Sequence, residues 1–443
     1  MNRDFDLIII GAGPGGYELA AEAAAEGRKV VLFERDLPGG TCLNRGCIPT
    51  KALCRSAEVA VLTREASRFG IDTPTSTVNF PAVMARKDSI VDGLRQGVMT
   101  LLKDVTVVQG EARFVNAETV ECDGVTFTAP TIVVATGSRP ALLPIPGSEY
   151  TVTSNDMLSL QELPGSLVII GGGVIGMEFA SIFAAFGTKV TVIENCKEIL
   201  PNFDAEIAKR LRMSLKRSGI EIITDAAVTE VGADGNVNYT SKNKQKSIKA
   251  DLVLMSTGRV PVVPEGLIEA GATLSRRAIA VDPGTYEIIW EEGKAPTTAK
   301  VYAVGDVNGL CMLAHAATAQ ALSILGKKRN QAVVPGAVFT MPEAAMVGLT
   351  EQSAIESGHN IKVLRSTFAA NGKATAMGET TGMVKLIVDS DTDSLLGAHV
   401  VGPHAADLVQ EAAVLIANRL PHSALTTTIH IHPSVSEVLP AAR

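Results

Sequence analysis

Two cysteines in a glycine-rich segment have the types and spacing for redox chemistry. Cys42 and Cys47 lie five residues apart in the segment GGTCLNRGCIPTK, residues 39–51. Residues five apart in a regular α-helix have Cα atoms roughly 8–9 Å apart, whereas a disulfide needs about 4.4–6.8 Å. If the two bond, the segment cannot be regular helix, and Gly46 supplies the backbone freedom. Such a short, distorted ring indicates a reducible, catalytic disulfide rather than a structural one.

Two other interpretations of the pair are weaker. A zinc site needs about four ligands, and no second Cys or His cluster lies nearby in the sequence, so no metal is predicted. A pair of inert buried thiols fits poorly with the glycines and polar residues around it. The remaining four cysteines are isolated and are expected to be small buried hydrophobes: Cys54, Cys122, Cys196 and Cys311.

An internal repeat predicts the elements that position the cysteines. The segment GAGPGGYE at 11–18 reappears as GGGVIGME at 171–178. Each copy follows an apolar strand, opens a helix, and is followed by a second strand that ends in an acid, Glu34 or Glu194. The first glycines and the acids match at one offset, since 171 − 11 and 194 − 34 both equal 160. Two such copies predict two dinucleotide-binding βαβ units. The cysteines directly follow the first unit and should lie near its nucleotide.

The chemistry of dinucleotides explains these residue types. The first glycine of each copy permits a tight turn, the second lets the backbone approach a pyrophosphate, and the third lets helix pack on strand. The phosphates then lie at the positive end of the helix. A carboxylate at Glu194 accepts a hydrogen bond from a ribose 2′-hydroxyl but would repel a 2′-phosphate. Because residues 195–200 supply only Lys197 as a cation, the second unit is predicted to bind a dinucleotide that has a free ribose 2′-hydroxyl rather than a 2′-phosphate.

The rest of the chain is predicted to form further strands and one separate domain. Strands are predicted at 131–137, 251–258 and 301–306, the last leading into an Ala-rich helix. From about Val333 alternating strands at Met383–Val388 and Leu395–Val401 precede a helix from about Ala405 to Asn418, without a third glycine motif. This pattern predicts an α+β domain that holds no cofactor of its own.

Composition and charge exclude some classes of protein. Lys and Arg number 40 against 47 Asp and Glu, a net charge of −7 that argues against nucleic-acid binding. The segment Leu167–Phe186 is apolar and long enough to span a bilayer. Its four glycines favour strand, turn and helix instead, so no membrane association is predicted. The N-terminal residues lack a signal-peptide pattern, and a cytoplasmic location is expected.

The sequence resembles the pyridine-nucleotide disulfide oxidoreductases, most closely their dihydrolipoamide dehydrogenase branch. The resemblance extends over essentially the whole chain, and its two most specific motifs are the CxxxxC segment and the C-terminal HIHPSVSE at 430–437. It implies an α/β fold with two Rossmann-like dinucleotide domains and a C-terminal α+β dimerisation domain. The implied boundaries are 1–143 for FAD, 144–262 for NAD, 263–332 for a central domain completing the FAD site, and 333–443 for the interface.

The resemblance also implies which residues hold the cofactors. FAD would be held by Gly11, Gly13, Gly15, Gly16, Glu34, Gly40, Thr41, Lys51, Ala112, Thr136, Gly137, Ser138, Asp306, Met312, Leu313, Ala314 and His315, the last through its backbone only. NAD would be held by Gly171, Gly173, Ile175, Gly176, Glu178, Glu194, Val228 and Gly258.

The implied catalytic residues are the Cys42–Cys47 disulfide, a Lys51–Glu178 ion pair beside the flavin, and a His432–Glu437 base. In a homodimer the histidine would act on the cysteines of the other subunit. Dihydrolipoamide on a carrier protein, deprotonated by His432, would attack Cys42 and release Cys47 as a thiolate against the flavin, and the hydride would pass to NAD. No catalytic role is expected for His430.

Departures and rival functions follow from the same residues. Arg45 replaces a usual apolar residue and could lower the pKa of a neighbouring thiol; Ala112 replaces a usual glycine beside the adenine. A glutathione-reductase-like enzyme should carry arginines for NADP, a mercuric-reductase-like enzyme a C-terminal cysteine pair, and a peroxidase-like enzyme a single redox cysteine. A scaffold subunit of a 2-oxoacid dehydrogenase or glycine-cleavage assembly is an alternative of another class. The sequence identifies neither the carrier protein nor the physiological direction.

Overall fold

The computed structural model describes residues 3–74, 76–327 and 332–443. Two compact units are interleaved along the chain. The first contains the described residues of Met1–Ala52, Ala85–Ala141 and Arg259–Gln331, and the second those of Leu53–Met84, Leu142–Gly258 and Ala332–Arg443. Two helices, Cys47–Arg64 and Phe80–Leu101, run in sequence from one unit to the other. The four domain boundaries given above stay predictions.

A five-stranded parallel sheet forms the centre of the first unit. Its strands in spatial order are Lys300–Ala303, Thr131–Val134, Leu7–Ile10, Val30–Glu34 and Thr106–Gln109. The three middle strands are continuous apolar runs because both faces of the sheet are covered. Since all five strands are parallel, their carboxyl ends meet at one edge, which brings Gly11, Glu34, Thr136 and Gly305 to the same side.

Smaller elements complete the first unit. Short strands form a mixed sheet of Arg3–Asp4, Val125–Thr128, Thr119–Cys122 and Arg113–Asn116, and two antiparallel pairs, Ser138–Pro140 with Arg259–Pro261 and Leu274–Ser275 with Ala278–Ile279. Its other helices are Pro14–Ala25, Gly40–Arg45 and Ala314–Ser323. The strand predicted at 301–306 ends earlier than expected, at Ala303, because Gly305–Asn308 turns into a 3₁₀-helix.

The second unit repeats the parallel arrangement. Its four-stranded sheet has the order Glu221–Ile223, Lys189–Ile193, Ser166–Ile170 and Leu252–Met255. The apolar segment 167–186 divides into a strand, a glycine turn and the helix Val174–Phe186, as predicted. No helix among the described residues is long and apolar enough to cross a membrane. Other elements here are helices Ser154–Met157 and Ala205–Arg217 and the antiparallel strands Ala226–Val231, Asn236–Ser241 and Lys244–Lys249.

An antiparallel sheet follows in the same unit, here called the interface sheet. Its strands in spatial order are Gly336–Val338, Glu343–Gly348, Leu395–Gly402, Met383–Asp389 and Ile361–Thr367. Helices Glu351–Glu356, Gly372–Met377, Ala405–Ala417 and Ser423–Thr427 accompany it. The predicted strands at 383 and 395 and the helix at 405 are confirmed, and so is the α+β character.

Candidate active site: a dithiol and two nucleotide loops

The two cysteines lie on either side of a break between two helices. Helix Gly40–Arg45 ends at Gly46, and helix Cys47–Arg64 begins directly after it. A Cβ at Gly46 would lie 2.8 Å from the Thr41 carbonyl oxygen, so only glycine permits this approach. The segment is therefore not a regular helix across 42–47, which is the condition that a disulfide between the two cysteines would require. The Cys42 thiol is half-buried and the Cys47 thiol is exposed.

The two thiols differ in acidity. The pKa of Cys42 is raised because its thiol hydrogen-bonds Cys47 and because it is buried, while the positive charge of Lys51 acts in the opposite direction. A negative charge on the pair therefore resides on Cys47. Lys51 lies four residues after Cys47 and thus on the same face of its helix.

The dithiol segment packs directly against the first nucleotide loop, residues 11–16. The Gly39 N–H donates to the Ala12 carbonyl at 2.8 Å. A Cβ at Gly40 would lie 2.5 Å from the Gly13 Cα, and Gly40 adopts a left-handed conformation at φ 59°. Asn44 braces the segment from within, since its side-chain amide donates to the carbonyls of Pro38 and Gly40 at 3.0 Å each. The thiols are thereby fixed beside the first nucleotide loop.

The charge of Arg45 is paired with a neighbouring carboxylate. Its guanidinium pairs with the Asp36 carboxylate through two contacts, one of them at 3.2 Å. This pairing lowers the pKa of Asp36 and raises that of Arg45. Among the charges that act on the Cys42 thiol the cation is Lys51, not Arg45. Arg45 thus serves the loop after Glu34 rather than the dithiol.

The acids at the ends of the two repeated strands have equivalent surroundings. Glu34 accepts from the Ala12 N–H at 2.8 Å and from the Asp36 N–H at 2.8 Å. Glu194 accepts from the Gly172 N–H at 2.5 Å and from the Cys196 N–H at 2.6 Å. Each buried carboxylate therefore binds the glycine loop of its own unit and remains at the carboxyl edge of the sheet.

The glycines of the two loops show three distinct constraints. Gly11 and Gly171 have φ of 103° and 105°, which L side chains rarely adopt. At Gly16 and Gly176 a Cβ would collide with the carbonyl oxygens of Gly11 and Gly171. At Gly13 and Gly173, by contrast, a Cβ would meet nothing within 4 Å. The middle glycine of each loop thus borders open space in front of a helix N-terminus, which fits a pyrophosphate.

A polar cluster in the first unit links the remaining FAD candidates. Ser138 Oγ donates to Asp306 Oδ2 at 2.5 Å, and Arg259 Nε donates to Ser138 Oγ at 2.7 Å. Burial lowers the pKa of Arg259, while the negative charges of Asp306 and Cys47 act against that shift. Arg259 is therefore a cation close to both Asp306 and Cys47.

The C-terminal histidine and acid form a dyad. His432 Nδ1 lies 2.9 Å from Glu437 Oε1, and Glu437 Oε2 accepts from the Ser434 N–H at 2.9 Å. These contacts lower the pKa of Glu437. A carboxylate at Nδ1 assigns the ring proton to that nitrogen, leaving Nε2 free to accept a proton. The His432 side chain is 81% exposed, so Nε2 is accessible.

Comparison with known proteins identifies the family. The profile described as pyridine nucleotide-disulphide oxidoreductase matches residues 5–321, and that of its dimerisation domain matches residues 334–443. The chain belongs to the pyridine nucleotide-disulphide oxidoreductases. It is a flavoprotein disulfide oxidoreductase, and its cofactors are FAD and NAD.

Individual relatives of this oxidoreductase are similar over their whole length. A dihydrolipoyl dehydrogenase of Bacillus subtilis is 37% identical, covering 99% of this chain and 97% of its own. One from Chlamydia trachomatis is 38% identical, covering 99% and 96%. Among solved structures, the HOCl-induced flavoprotein disulfide reductase RclA of Escherichia coli has a TM-score of 0.86 at 32% identity, covering 99% of each chain.

The structure also shows where the other predicted cofactor residues of the oxidoreductase lie, and their roles stay predictions. Met312 and Leu313 precede helix Ala314–Ser323, whose first residues include His315, while Gly137 and Gly258 adopt left-handed conformations at φ 70° and 111°. Ala112 is buried, Val228 packs beside the second parallel sheet, and Ile175 lies in the first turn of helix Val174–Phe186. Thr136 Oγ1 donates to the Val262 carbonyl at 2.5 Å.

The proposed Lys51–Glu178 pair stays a prediction. The buried Glu178 carboxylate accepts from the Phe339 N–H at 3.0 Å, and Lys51 belongs to the other unit. No group of three or more His, Cys, Asp or Glu residues within the described ranges lies close enough together to hold a metal ion.

Three polar residues of the site were not found in the sequence. Gln320 Oε1 accepts from the Gly305 N–H at 2.8 Å and from Asn308 Nδ2 at 2.9 Å, and so fixes the turn that carries Asp306. Ser256 Oγ donates toward the Gly171 carbonyl at 3.1 Å and supports the second loop. Arg259 is the third. For Ser256 and Arg259 the sequence offered one indication of a place near the site, since both lie beside Gly258, where a strand was predicted to end.

Proposed function

We propose that this oxidoreductase oxidises dihydrolipoamide on a carrier protein and passes the hydride to NAD. The observation that carries the proposal is the packing of the Cys42–Cys47 pair on the first nucleotide loop, where Gly40 approaches Gly13. A thiol pair held there can exchange electrons with a flavin. Lipoamide as the substrate is supported by the full-length similarity to dihydrolipoyl dehydrogenases.

In the proposed reaction the residues of this chain handle protons and sulfur. His432 Nε2 takes the proton of one substrate thiol, and the resulting thiolate attacks Cys42 of the disulfide. Cys47 leaves as a thiolate, in agreement with the raised pKa of Cys42, which places the negative charge of the pair on Cys47. The second substrate thiol then attacks the substrate sulfur that is bonded to Cys42, its proton passes to the departing Cys42 sulfur, and lipoamide departs. When bound, FAD accepts the electron pair of the dithiol and NAD removes it as hydride.

The proposal includes a homodimer in which His432 and Glu437 act on the cysteines of the other subunit. The match of residues 334–443 to a dimerisation domain supports the assembly. A cytoplasmic location also belongs to the proposal, because a dithiol enzyme that uses NAD operates in a reducing compartment. The carrier protein would belong to a 2-oxoacid dehydrogenase or glycine-cleavage system.

A related disulfide reductase is the second candidate, and the similarity to RclA favours it. The deciding experiment compares two activities of the purified FAD-loaded protein: oxidation of dihydrolipoamide with NAD, and reduction of glutathione disulfide with NADPH or NADH. A clear preference for dihydrolipoamide with NAD supports the proposal. A preference for disulfide reduction contradicts it. Assembly into a carrier complex without any thiol oxidation would favour the scaffold alternative.

A further inference from the structure

A buried ion cluster connects the interface sheet to the helix that follows the second nucleotide site. Lys385, on strand Met383–Asp389, donates to both carboxylate oxygens of Asp204 at 2.9 Å each. The side chains of both residues are only 3% exposed. Glu351 and Glu206 complete the surroundings of the ammonium at 2.6 and 3.5 Å. A buried lysine requires such partners, because an unpaired ammonium there would be costly.

Asp204 stands at the point where the cofactor loop becomes helix. Its Oδ1 accepts from the Glu206 N–H at 3.1 Å and so caps helix Ala205–Arg217. The segment that ends at Asp204, residues 194–204, begins with Glu194, the acid predicted to hold the ribose of NAD. This segment is here called the cofactor loop. Lys385 therefore fixes the end of the loop that the cofactor acid begins.

The cofactor loop is joined to the second glycine loop by short contacts. The Gly172 N–H is bound by the Glu194 carboxylate, and the Gly172 carbonyl accepts from the Leu200 N–H at 2.9 Å. The Phe203 N–H donates to the Leu200 carbonyl at 2.8 Å, one residue before Asp204. A continuous series of contacts thus runs from Gly172 through Leu200 to Asp204.

A second contact ties the cofactor loop to the same helix. Arg212 holds Glu198 through two hydrogen bonds, at 2.6 and 2.9 Å. Loop and helix are therefore joined at two places, at Glu198 and at the cap Asp204, and Lys385 binds the second of these from the interface sheet.

We propose that Lys385 is a positioning residue for NAD: acting through Asp204, it holds the cofactor loop in the geometry that binds the nucleotide. This inference rests on the proposed NAD-dependent function. It assigns to a residue of the interface sheet an effect on cofactor affinity, although the contacts of Lys385 are to Asp204, Glu206 and Glu351 and not to the second glycine loop.

Two substitutions test the proposal. Lys385→Met removes the ammonium and keeps the length of the side chain. Asp204→Asn keeps a good N-cap but removes the charge. Both variants should retain FAD and bind NADH about 2- to 30-fold more weakly in an equilibrium titration, the range for residues that act on a ligand without touching it. The KM for NAD should rise in parallel, while reduction of the flavin by dihydrolipoamide without NAD stays within twofold.

Leu386→Ala is the matched control, because Leu386 is the next residue of the same strand, packs in the opposite core and also stabilises the sheet. It should lower the free energy of unfolding without changing NADH affinity. Wild-type NADH affinity in Lys385→Met would overturn the proposal, and so would an equal loss in Leu386→Ala. If Lys385→Met does not fold, Asp204→Asn decides by the same criterion. Failure of the proposed function would be visible separately, as a wild-type protein that binds NADH but does not oxidise dihydrolipoamide.

Discussion

At the dithiol, a hydrogen bond to Cys47 and burial hold the proton on Cys42, so the negative charge of the pair resides on Cys47. The negative charge of Cys47 also acts on the Arg259 guanidinium, where it opposes the lowering of the Arg259 pKa by burial. This difference suits the roles proposed for the two cysteines, in which Cys42 exchanges with substrate sulfur and Cys47 reacts with the flavin.

This asymmetry predicts different spectra for two serine variants. Cys42→Ser should retain a Cys47 thiolate and therefore a long-wavelength thiolate–flavin absorption on raising the pH. Cys47→Ser should lack that band at every pH. Both should lose turnover by a factor on the order of 10³ or more, as removal of a nucleophile does. Anaerobic absorption spectra between pH 6 and 9 measure this, and a band in Cys47→Ser would contradict the assignment.

The sequence was sufficient to find the residues of the site whose partners are close in the chain or repeated. Glu34 and Glu194 were found because strand, loop and acid recur at one offset, and the cysteines because they lie five positions apart with a glycine between them. The roles of Arg259, Gln320 and Lys385 could not be predicted in the same way. Their partners Ser138, Gly305 and Asp204 are paired by the fold, and no local pattern encodes a pairing across 121 or 181 residues.

At the scale of elements, each nucleotide loop combines a strained turn, a close helix–strand contact and one glycine that borders open space. The strand pattern was predictable because parallel strands buried on both faces are continuous apolar runs. The ends of the strands were less predictable. The strand that begins at Lys300 stops at Ala303, because Gly305 and Asp306 belong to a turn that Gln320 holds through a hydrogen bond. Propensity does not reveal that requirement.

The open-space glycines predict separable effects on the two cofactors. Gly13 and Gly173 have φ of −73° and −74°, so alanine is conformationally allowed at both. Its methyl group would enter the space that a pyrophosphate needs, and overpacking of about 1–3 kcal/mol corresponds to roughly 5- to 150-fold in affinity. Gly13→Ala should lose FAD affinity, whereas Gly173→Ala should keep FAD and raise the KM for NAD.

Flavin content and steady-state kinetics measure the two effects. The control is Gly93→Ala, because a Cβ at Gly93 also meets nothing within 4 Å but Gly93 belongs to helix Phe80–Leu101 and to neither loop. It should change neither quantity. Unchanged FAD affinity in Gly13→Ala would mean that the first loop does not approach the pyrophosphate.

The interface sheet carries a row of basic residues that predicts how stability depends on pH. Arg365, Lys385 and His399 are register partners on adjacent strands. His399 is fully buried, and burial lowers its pKa. Below about pH 6.5 the unfolded chain binds a proton that folded His399 does not. The free energy of unfolding therefore decreases as the pH is lowered, by at most about 1.4 kcal/mol per pH unit for this group.

Urea unfolding between pH 7.5 and 5.5 measures that slope. His399→Gln keeps an N–H donor for the Leu349 carbonyl, which His399 Nε2 contacts at 2.9 Å, and removes the titration. It should flatten the pH dependence. His404→Asn is the matched control, because His404 is exposed and asparagine tolerates its left-handed backbone at φ 57°. An unchanged slope in His399→Gln would assign the pH dependence to other groups.

At the scale of the whole molecule, the cysteines and the histidine base lie in different units of the chain. The His432 ring is exposed, and Ile429 and Ile431 beside it are 96% and 80% exposed. Apolar side chains flanking a base suit a surface that another subunit covers. In a two-fold dimer, each active site would then take its cysteines from one chain and its base from the other.

Subunit mixing tests this arrangement with two inactive variants. Cys47→Ser lacks the flavin-side thiol, and His432→Gln lacks the base, so neither homodimer should turn over dihydrolipoamide. A mixed dimer has one site with both defects and one site with neither. Random exchange of equal amounts makes half of the dimers mixed, each with half of its sites active, so about a quarter of the wild-type activity should return. Activity that stays absent although mass spectrometry shows mixed dimers would place the base and the cysteines of one site in the same chain.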